Sequence, residues 1–212
     1  MIDKDIPYLK VYMTKPEITE YPKYSLPDGF YFKFYDENMD SDWVRLQMYE
    51  DVFENFGEAI RYFNAIYVSQ GNVLKKRMAF ICDDKDMVVG CGALWFGNKF
   101  GVLANEITSL IVHPNYRGLG LAKALVSRLL DLHKELECKG GIYSSLSSWD
   151  YKAIDILFTM GFVAYMGKPP VDFKNPATFK LDNQTAWKYI MTKLTASKSE
   201  ILKEQIEKYG LL

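Results

Sequence analysis

The chain has 212 residues, of which 49% are hydrophobic and 25% are charged, a composition typical of one globular domain with a substantial core. Its 26 Lys and Arg nearly balance 27 Asp and Glu, so the chain lacks the basic field that gathers phosphate backbones, which disfavours nucleic-acid binding. No apolar run reaches the roughly 18 residues of a membrane-spanning helix, and the first residues lack the apolar centre of a signal peptide. We therefore expect a cytoplasmic protein without nucleic-acid or membrane partners.

The cysteines and histidines are too few and too scattered for a disulfide framework or a metal site. Cys82, Cys91 and Cys138 form an odd set without a C-x-x-C spacing, so we interpret them as reduced thiols. His113 and His133 are too far apart in sequence to be ligands on adjacent turns of one helix. We therefore expect no bound metal.

The first half of the chain predicts an arm, a strand, two helices and a hairpin. Residues 1–28 contain four prolines and predict an extended N-terminal arm that wraps the domain surface. The aromatic residues 30–35 predict the first strand, and apolar residues at steps of three and four then predict two helices separated near Gly57. Residues 78–82 and 87–96 flank a polar turn and predict an antiparallel hairpin.

Strands and helices alternate in the second half of the chain. Residues 106–112 predict a strand that ends at a proline, and residues 118–138 predict a long helix with leucines along one stripe. A strand at 142–146, a helix at 150–160 and a strand at 162–166 follow. This alternation indicates that part of the sheet is parallel.

The C-terminal segment is ambiguous in its pattern. Residues 186–191 fit both the period of a strand and the period of a helix, and their large apolar side chains could pair across a homodimer. Residues 199–209, rich in Glu, Lys and Leu, predict a helix. We therefore expect the main domain to occupy residues 29–194 and a C-terminal helix to lie within residues 195–212.

The turn between the predicted strand and the long helix carries the most informative sequence. It reads Val112-His113-Pro114-Asn115-Tyr116-Arg117-Gly118-Leu119-Gly120-Leu121-Ala122. The first amides of a helix lack intrahelical acceptors and lie at the positive end of its dipole, so they can bind a phosphate or pyrophosphate. Glycines at 118 and 120 remove side-chain bulk where such a ligand must approach. The alternative is a tight turn that needs glycine for steric reasons alone. The P-loop and dinucleotide-binding patterns, two other phosphate-binding motifs, do not fit this stretch.

This stretch resembles the acetyl-coenzyme A signature of the GCN5-related N-acetyltransferases (GNATs), written [Q/R]-x-x-G-x-[G/A]. Here the signature reads Asn115-Tyr116-Arg117-Gly118-Leu119-Gly120. A helix with Ala153 in its first turn that leads to Gly161-Phe162 is a second similarity, so the resemblance covers roughly residues 29–166. It implies an α/β (α+β) fold with a mixed, centrally splayed sheet of about six or seven strands, flanked by about four helices.

The resemblance implies an acyltransferase that moves an acetyl group from acetyl-CoA, as co-substrate, to a primary amine of a small molecule or peptide by direct attack. The turn would hold the diphosphate and the preceding strand the thioester. The implied cofactor-binding residues are Leu110, Ile111, Val112, Arg117, Gly118, Leu119, Gly120, Leu121 and Ala122. The helices after the first strand would shape the acceptor pocket. The aromatic candidates there, which are more often core residues, are Trp43, Tyr49, Phe53, Phe56 and Tyr62.

Catalysis would need a base, because a lysine-like amine with a pKa near 10.4 arrives protonated. Glu106 is the candidate, similar in position to the catalytic glutamate of several family members, and a solvated strand residue or an ion-pair partner is the alternative role. We interpret His113 as a loop residue rather than a base. Leu157 stands where the family commonly has a tyrosine acid, so a non-catalytic acyl-CoA-binding sensor or interaction module with the same fold is the alternative function.

Overall fold

The computed structural model describes residues 7–50 and 52–208, which form seven strands and seven α-helices. The strands are β1 (Lys10–Lys15), β2 (Phe30–Phe34), β3 (Met78–Asp83), β4 (Val88–Gly97), β5 (Ala104–Val112), β6 (Ile142–Ser147) and β7 (Val163–Ala164). The helices are α1 (Asp40–Gln47), α2 (Phe56–Ile66), α3 (Asn72–Arg77), α4 (Leu121–Glu135), α5 (Tyr151–Thr159), α6 (Phe179–Met191) and α7 (Ala196–Lys208).

The seven strands form one mixed sheet in the order β2-β3-β4-β5-β6-β1-β7. β2 and β3, β3 and β4, and β1 with both β6 and β7 pair antiparallel, whereas β5 and β6 pair parallel. The parallel register places Asn105 opposite Ile142 and Glu106 opposite Tyr143. The predicted α/β class and mixed sheet are therefore confirmed, and so is a parallel portion between β5 and β6.

The described chain divides into two compact units, and β4 and β5 contribute residues to both. Unit 1 contains residues 7–21, 96–106 and 139–208. Unit 2 contains residues 22–50, 52–95 and 107–138. The boundaries of these two units differ from those of the predicted arm (residues 1–28), main domain (residues 29–194) and C-terminal helix (residues 195–212).

In unit 1, the N-terminal segment belongs to the sheet. β1 lies between β6 and β7, with Lys10 opposite Ser147 and Met13 opposite Ala164, and both Val11 and Met13 are fully buried. The expectation of a surface arm over residues 1–28 is therefore wrong for β1, which contains no proline and pairs along both of its edges. Residues 16–28 contain no helix or strand, and residues 1–6 lie outside the described part.

The C-terminal part of unit 1 is helical. Residues 186–191 lie in α6, where Trp187 and Ile190 are fully buried and the Trp187 ring lies 6.4 Å from that of Phe158. These two side chains therefore belong to the core of their own unit instead of offering a dimer surface. The predicted helix over 199–209 is α7, and its last predicted residue lies outside the described part.

In unit 2, the predicted hairpin of β3 and β4 and the long helix α4 are confirmed. The leucine stripe of α4 is buried, and a Cβ atom at Gly92 of β4 would lie 3.2 Å from the side chains of Leu125 and Leu129. Each buried leucine contributes about 1.5–3 kcal/mol by leaving water. Close packing on β4 thus fixes α4 and, with it, the turn at its N-terminus.

No helix in residues 7–50 or 52–208 has both the length and the apolar character needed to cross a bilayer.

Candidate functional site

The turn that joins β5 to α4 in unit 2 is held by its own residues. The His113 amide donates to the Val89 carbonyl at 2.8 Å, and a 3₁₀ turn follows at Pro114–Tyr116. Arg117 Nε donates to the Val112 carbonyl at 3.0 Å, and Arg117 also forms an ion pair with Glu50. The Arg117 side chain therefore braces the turn, and its amide already donates to the Pro114 carbonyl at 3.3 Å.

The two glycines of the turn are required by backbone conformation. Gly118 has a φ of +85° and Gly120 a φ of +83°, in the left-handed region that L side chains rarely adopt. A Cβ atom at either position would meet nothing within 4 Å. Because no neighbouring atom would clash with a side chain, the backbone conformation is what requires glycine at these two positions. The open surroundings also leave the backbone accessible to a ligand.

The amides from residue 118 to residue 123 have no acceptor in the described part of the chain. The first hydrogen bond at the N-terminus of α4 runs from the Ala124 amide to the Gly120 carbonyl at 3.1 Å, and no side chain caps the helix. Residues 118–120 are exposed, whereas the Leu121 side chain is buried in the core. Exposed, unpaired amides at a helix N-terminus are the arrangement that binds an anion.

His113 is part of the structure of this turn. Its Nδ1 accepts the Asn115 amide at 3.2 Å, and its Nε2 lies 3.0 Å from the Tyr49 hydroxyl. Burial, followed by the charges of Arg45 and Arg117, lowers the pKa of His113 and favours the neutral ring. Both ring nitrogens have partners, which is consistent with a structural role.

A cleft of about 500 Å³ lies on α1 and α2 in the same unit. It is lined by Ser41, Asp42, Arg45, Met48, Tyr49 and Phe56. Two of the aromatic candidates, Tyr49 and Phe56, thus line an open cleft and are 44% and 49% exposed, whereas Trp43 is buried. The ion pair of Asp42 and Arg45 at its wall, 2.9 Å long, was not anticipated from sequence.

Glu106 lies in unit 1, where two hydroxyl groups hold its carboxylate. Ser145 Oγ donates to Oε1 at 2.7 Å, and the Tyr143 hydroxyl donates to Oε2 at 3.1 Å. The parallel register places Glu106 beside Tyr143, and Ser145 follows on the same strand. Lys99, the nearby cation, forms its ion pair with Asp172 at 2.8 Å. The carboxylate is thus held by neutral donors.

The pKa of Glu106 is raised, because burial outweighs the opposing effects of Ser145, Lys99 and Tyr143. Burial and the charge of Glu106 raise the pKa of Tyr143, so this hydroxyl stays protonated and remains a donor. A carboxyl group with a raised pKa is a stronger base than an exposed one once it is ionised. The arrangement can therefore accept a proton from a substrate.

Tyr143, which donates to this carboxylate, packs closely against an aromatic ring and a glycine. The Phe100 ring lies 5.1 Å from that of Tyr143 and 4.5 Å from that of Tyr165. A Cβ atom at Gly97 would collide with the Tyr143 hydroxyl and lie 3.5 Å from Glu106 Oε2. Sequence reasoning missed the role of Gly97, for which the sequence carries no signal, and did not distinguish Tyr143 from the other tyrosines.

The remaining site candidates, Leu110, Ile111 and Val112, lie in the part of β5 that belongs to unit 2. Ile111 and Val112 are buried and Leu110 is half-buried. Ser109, directly before them, has a positive φ of 53°, which no sequence signal indicated.

Leu157 is fully buried in α5 and offers no acidic group at that position. In the described part of the chain, no group of three His, Cys, Asp or Glu is placed to hold a metal ion.

The acetyltransferase (GNAT) family model matches residues 31–162 of this chain. No curated protein matches the sequence.

Solved structures share the fold at low sequence identity. A GCN5-related N-acetyltransferase from Sphaerobacter thermophilus matches with a TM-score of 0.57 and 14% identity over 76% of this chain and 50% of that chain. An acetyltransferase of the GNAT family from Colwellia psychrerythraea matches with a TM-score of 0.56 and 12% identity over 75% of this chain and 54% of that chain. A tandem GNAT protein from the clavulanic acid biosynthesis pathway matches with a TM-score of 0.54 and 13% identity over 77% of this chain and 52% of that chain. The chain thus spans about half the length of these structures.

Proposed function

The chain belongs to the acetyltransferase (GNAT) family, and on that premise we propose that it is an N-acetyltransferase that uses acetyl-CoA as co-substrate. The acceptor is a primary amine of a small molecule or peptide. The observation that carries the proposal is the row of amides from residue 118 to residue 123, which have no acceptor in the described chain and begin at the exposed residues 118–120. Such a row of donors at a helix N-terminus can bind a phosphate or a diphosphate.

In this proposal the backbone of the turn binds the diphosphate of acetyl-CoA. The donors are the amides that begin at Gly118, while Arg117 contributes by bracing the turn. Leu119, Gly120, Leu121 and Ala122 complete the binding segment. Leu110, Ile111 and Val112 receive the pantetheine arm and the thioester, since they immediately precede the turn along the chain.

Glu106 is the proposed general base, and it lies on the same strand as residues 110–112. It removes a proton from the acceptor ammonium, directly or through water, which leaves a neutral amine. The amine nitrogen attacks the thioester carbonyl, and a main-chain amide stabilises the oxyanion that forms. The carbon–sulfur bond then breaks and the thiolate leaves, while the nitrogen gives up its extra proton to the thiolate, directly or through water, so that the products are the amide and the CoA thiol. With a thiol pKa of about 8.5, the thiolate is a good leaving group, so a positioned acid is dispensable.

A non-catalytic acyl-CoA-binding sensor is the second candidate. The buried Leu157 favours it, because this position offers no proton donor to the leaving sulfur. A sensor and an enzyme would share the diphosphate site and differ in the chemistry at Glu106.

The full chain with acetyl-CoA and a panel of primary amines tests the proposal. An enzyme should release free CoA thiol with at least one amine, and acetyl-CoA at about 100 times its Kd should stabilise the fold by roughly 2.7 kcal/mol. Stabilisation without thiol release from any amine would favour the sensor. Absence of both effects would reject both candidates. The cytoplasmic location and the homodimer stay predictions.

A further inference from the structure

Ser109 has a backbone conformation that is unusual for its place in the fold. The other non-glycine residues with positive φ in the described chain, Asn38, Asp86 and Glu137, lie in turns or bends, whereas Ser109 lies inside strand β5. A left-handed residue with a side chain costs about 1–2 kcal/mol, so neighbouring structure must hold it there.

Two buried residues of unit 2 hold Ser109 from different sides. The Tyr67 hydroxyl lies 2.9 Å from Ser109 Oγ, and the Cys91 thiol donates to the Ser109 carbonyl at 3.3 Å. Tyr67 is 1% exposed, and its ring packs at 4.8 Å against Trp95 and at 5.3 Å against Phe63. The side chain and the carbonyl of Ser109 are therefore both fixed by atoms that cannot move freely.

The conformation of Ser109 changes the course of β5. Before it, Asn105 and Ile107 alternate with less buried neighbours, as in a regular strand. Residues 108–110 are all half-buried, and Ile111 and Val112 are both buried, so the alternation fails at Ser109. The directions in which the amides of residues 110–112 point are thus set by this residue.

We propose that Tyr67 is a positioning residue for acetyl-CoA: with Cys91 it holds Ser109 in the left-handed conformation and so directs one main-chain amide of residues 110–112 at the thioester carbonyl. This inference rests on the proposed function, in which that segment receives the thioester. It assigns to Tyr67 a task that acts through Ser109 and involves no contact with the substrate.

Calorimetric titration of the full chain with acetyl-CoA and with CoA tests the proposal, because the two ligands differ by the acetyl group. The quantity of interest is the ratio of the two Kd values. Ser109→Ala and Tyr67→Phe should each weaken acetyl-CoA relative to CoA by about three- to tenfold, the effect of one lost hydrogen bond. Ser109→Gly should keep the wild-type ratio, because glycine adopts a positive φ without support.

The contrast between Ala and Gly at residue 109 is the decisive measurement, since both remove the hydroxyl and they differ in backbone freedom. The double variant Tyr67→Phe with Ser109→Gly should also recover the wild-type ratio. Tyr35→Phe is the matched control: Tyr35 packs in the same unit, and its hydroxyl has no hydrogen bond within the described chain, so the ratio should not change.

Equal ratios for the Ala and Gly variants, or an unchanged ratio in Tyr67→Phe, would overturn the inference while leaving the proposed function intact. If Tyr67→Phe does not fold, the Ala and Gly variants still decide. Failure of the wild-type chain to bind either ligand would instead reject the proposed function and the inference together.

Discussion

The turn before α4 and the surroundings of Glu106 offer opposite kinds of chemistry. At the turn, the available groups are main-chain amides, and residues 118–120 are exposed with open space around both glycines. Around Glu106, the available groups are side chains that come from separate strands and pack closely. The turn therefore depends on backbone conformation, whereas the carboxylate depends on fit and on hydrogen bonds from its neighbours.

This difference implies different sensitivities to substitution. A change at the turn should alter ligand affinity and leave the proton transfer at Glu106 unchanged. A change near Glu106 should alter turnover and its pH dependence and leave ligand affinity intact. Three predictions test this separation, and a fourth tests the close fit around Glu106.

Glu106→Gln should produce the largest effect. Turnover with the amine that the screen identifies should fall by about 10²- to 10⁴-fold, because a general base contributes that much, while the Kd for acetyl-CoA stays constant. Burial raises the pKa of Glu106, so the ionised carboxylate destabilises the fold above that pKa, and Gln should not lower stability at neutral pH. Glu135→Gln, at an exposed ion pair, is the control. Unchanged turnover in Glu106→Gln would remove this residue from the mechanism.

Gly97→Ala should destabilise the fold through a single collision. The added Cβ meets the Tyr143 hydroxyl, and overpacking of this kind costs about 1–3 kcal/mol. In a Tyr143→Phe background the colliding oxygen is gone, so the cost should fall clearly. A double-mutant cycle from urea unfolding measures this coupling. Additive effects of the two substitutions would contradict the close fit around Glu106.

Gly120→Ala should weaken acetyl-CoA binding without a loss of base strength. Forcing a side chain into the left-handed region costs about 1–2 kcal/mol, and a distortion of that size corresponds to an affinity loss of about tenfold. Gly140→Ala is the matched control in unit 1, because Gly140 has a φ of +74° and equally open surroundings. Calorimetry and thermal unfolding should show similar stability losses in both variants and an affinity loss in Gly120→Ala alone. Equal affinities would show that the turn is not the ligand site.

Ser145→Ala should produce the smallest effect, which is a shift of the acid limb in the pH profile of kcat/KM. The Ser145 hydrogen bond lowers the pKa of Glu106, so its removal raises that pKa further and activity should be lost at a higher pH on acidification. Asp172→Asn should shift the limb the other way, because the Asp172 charge raises the same pKa. Shifts in the same direction for both variants would contradict the assignment of this limb to Glu106.

The turn was predictable from sequence because its determinants are local. A strand, a proline, two glycines and a leucine-striped helix lie within a short segment, and each carries its own signal. The strand that bears Glu106 was predictable for the same reason. The residue types that surround this carboxylate were visible as well, but their pairing was not.

The partners of Glu106 could not be predicted because they depend on contacts that are distant in sequence. Tyr143 lies 37 residues away along the chain, and its role follows from the register of β6 against β5. Gly97 is needed because of a steric clash, which a sequence pattern does not encode. Ser109 gave no signal either, since serine in a strand predicts no left-handed conformation.

The position of β1 has a consequence for the order in which the chain folds. β1 pairs with residues 142–147, so its partner leaves the ribosome only after most of the chain has been made. Unit 2 is complete in sequence by residue 138, whereas unit 1 requires both ends of the described chain. Nascent chains fold from the N-terminus as segments emerge, so we expect unit 2 to mature first. During that interval β1 has no partner strand, so its backbone and the side chains of Val11 and Met13, buried in the finished fold, stay exposed to other chains.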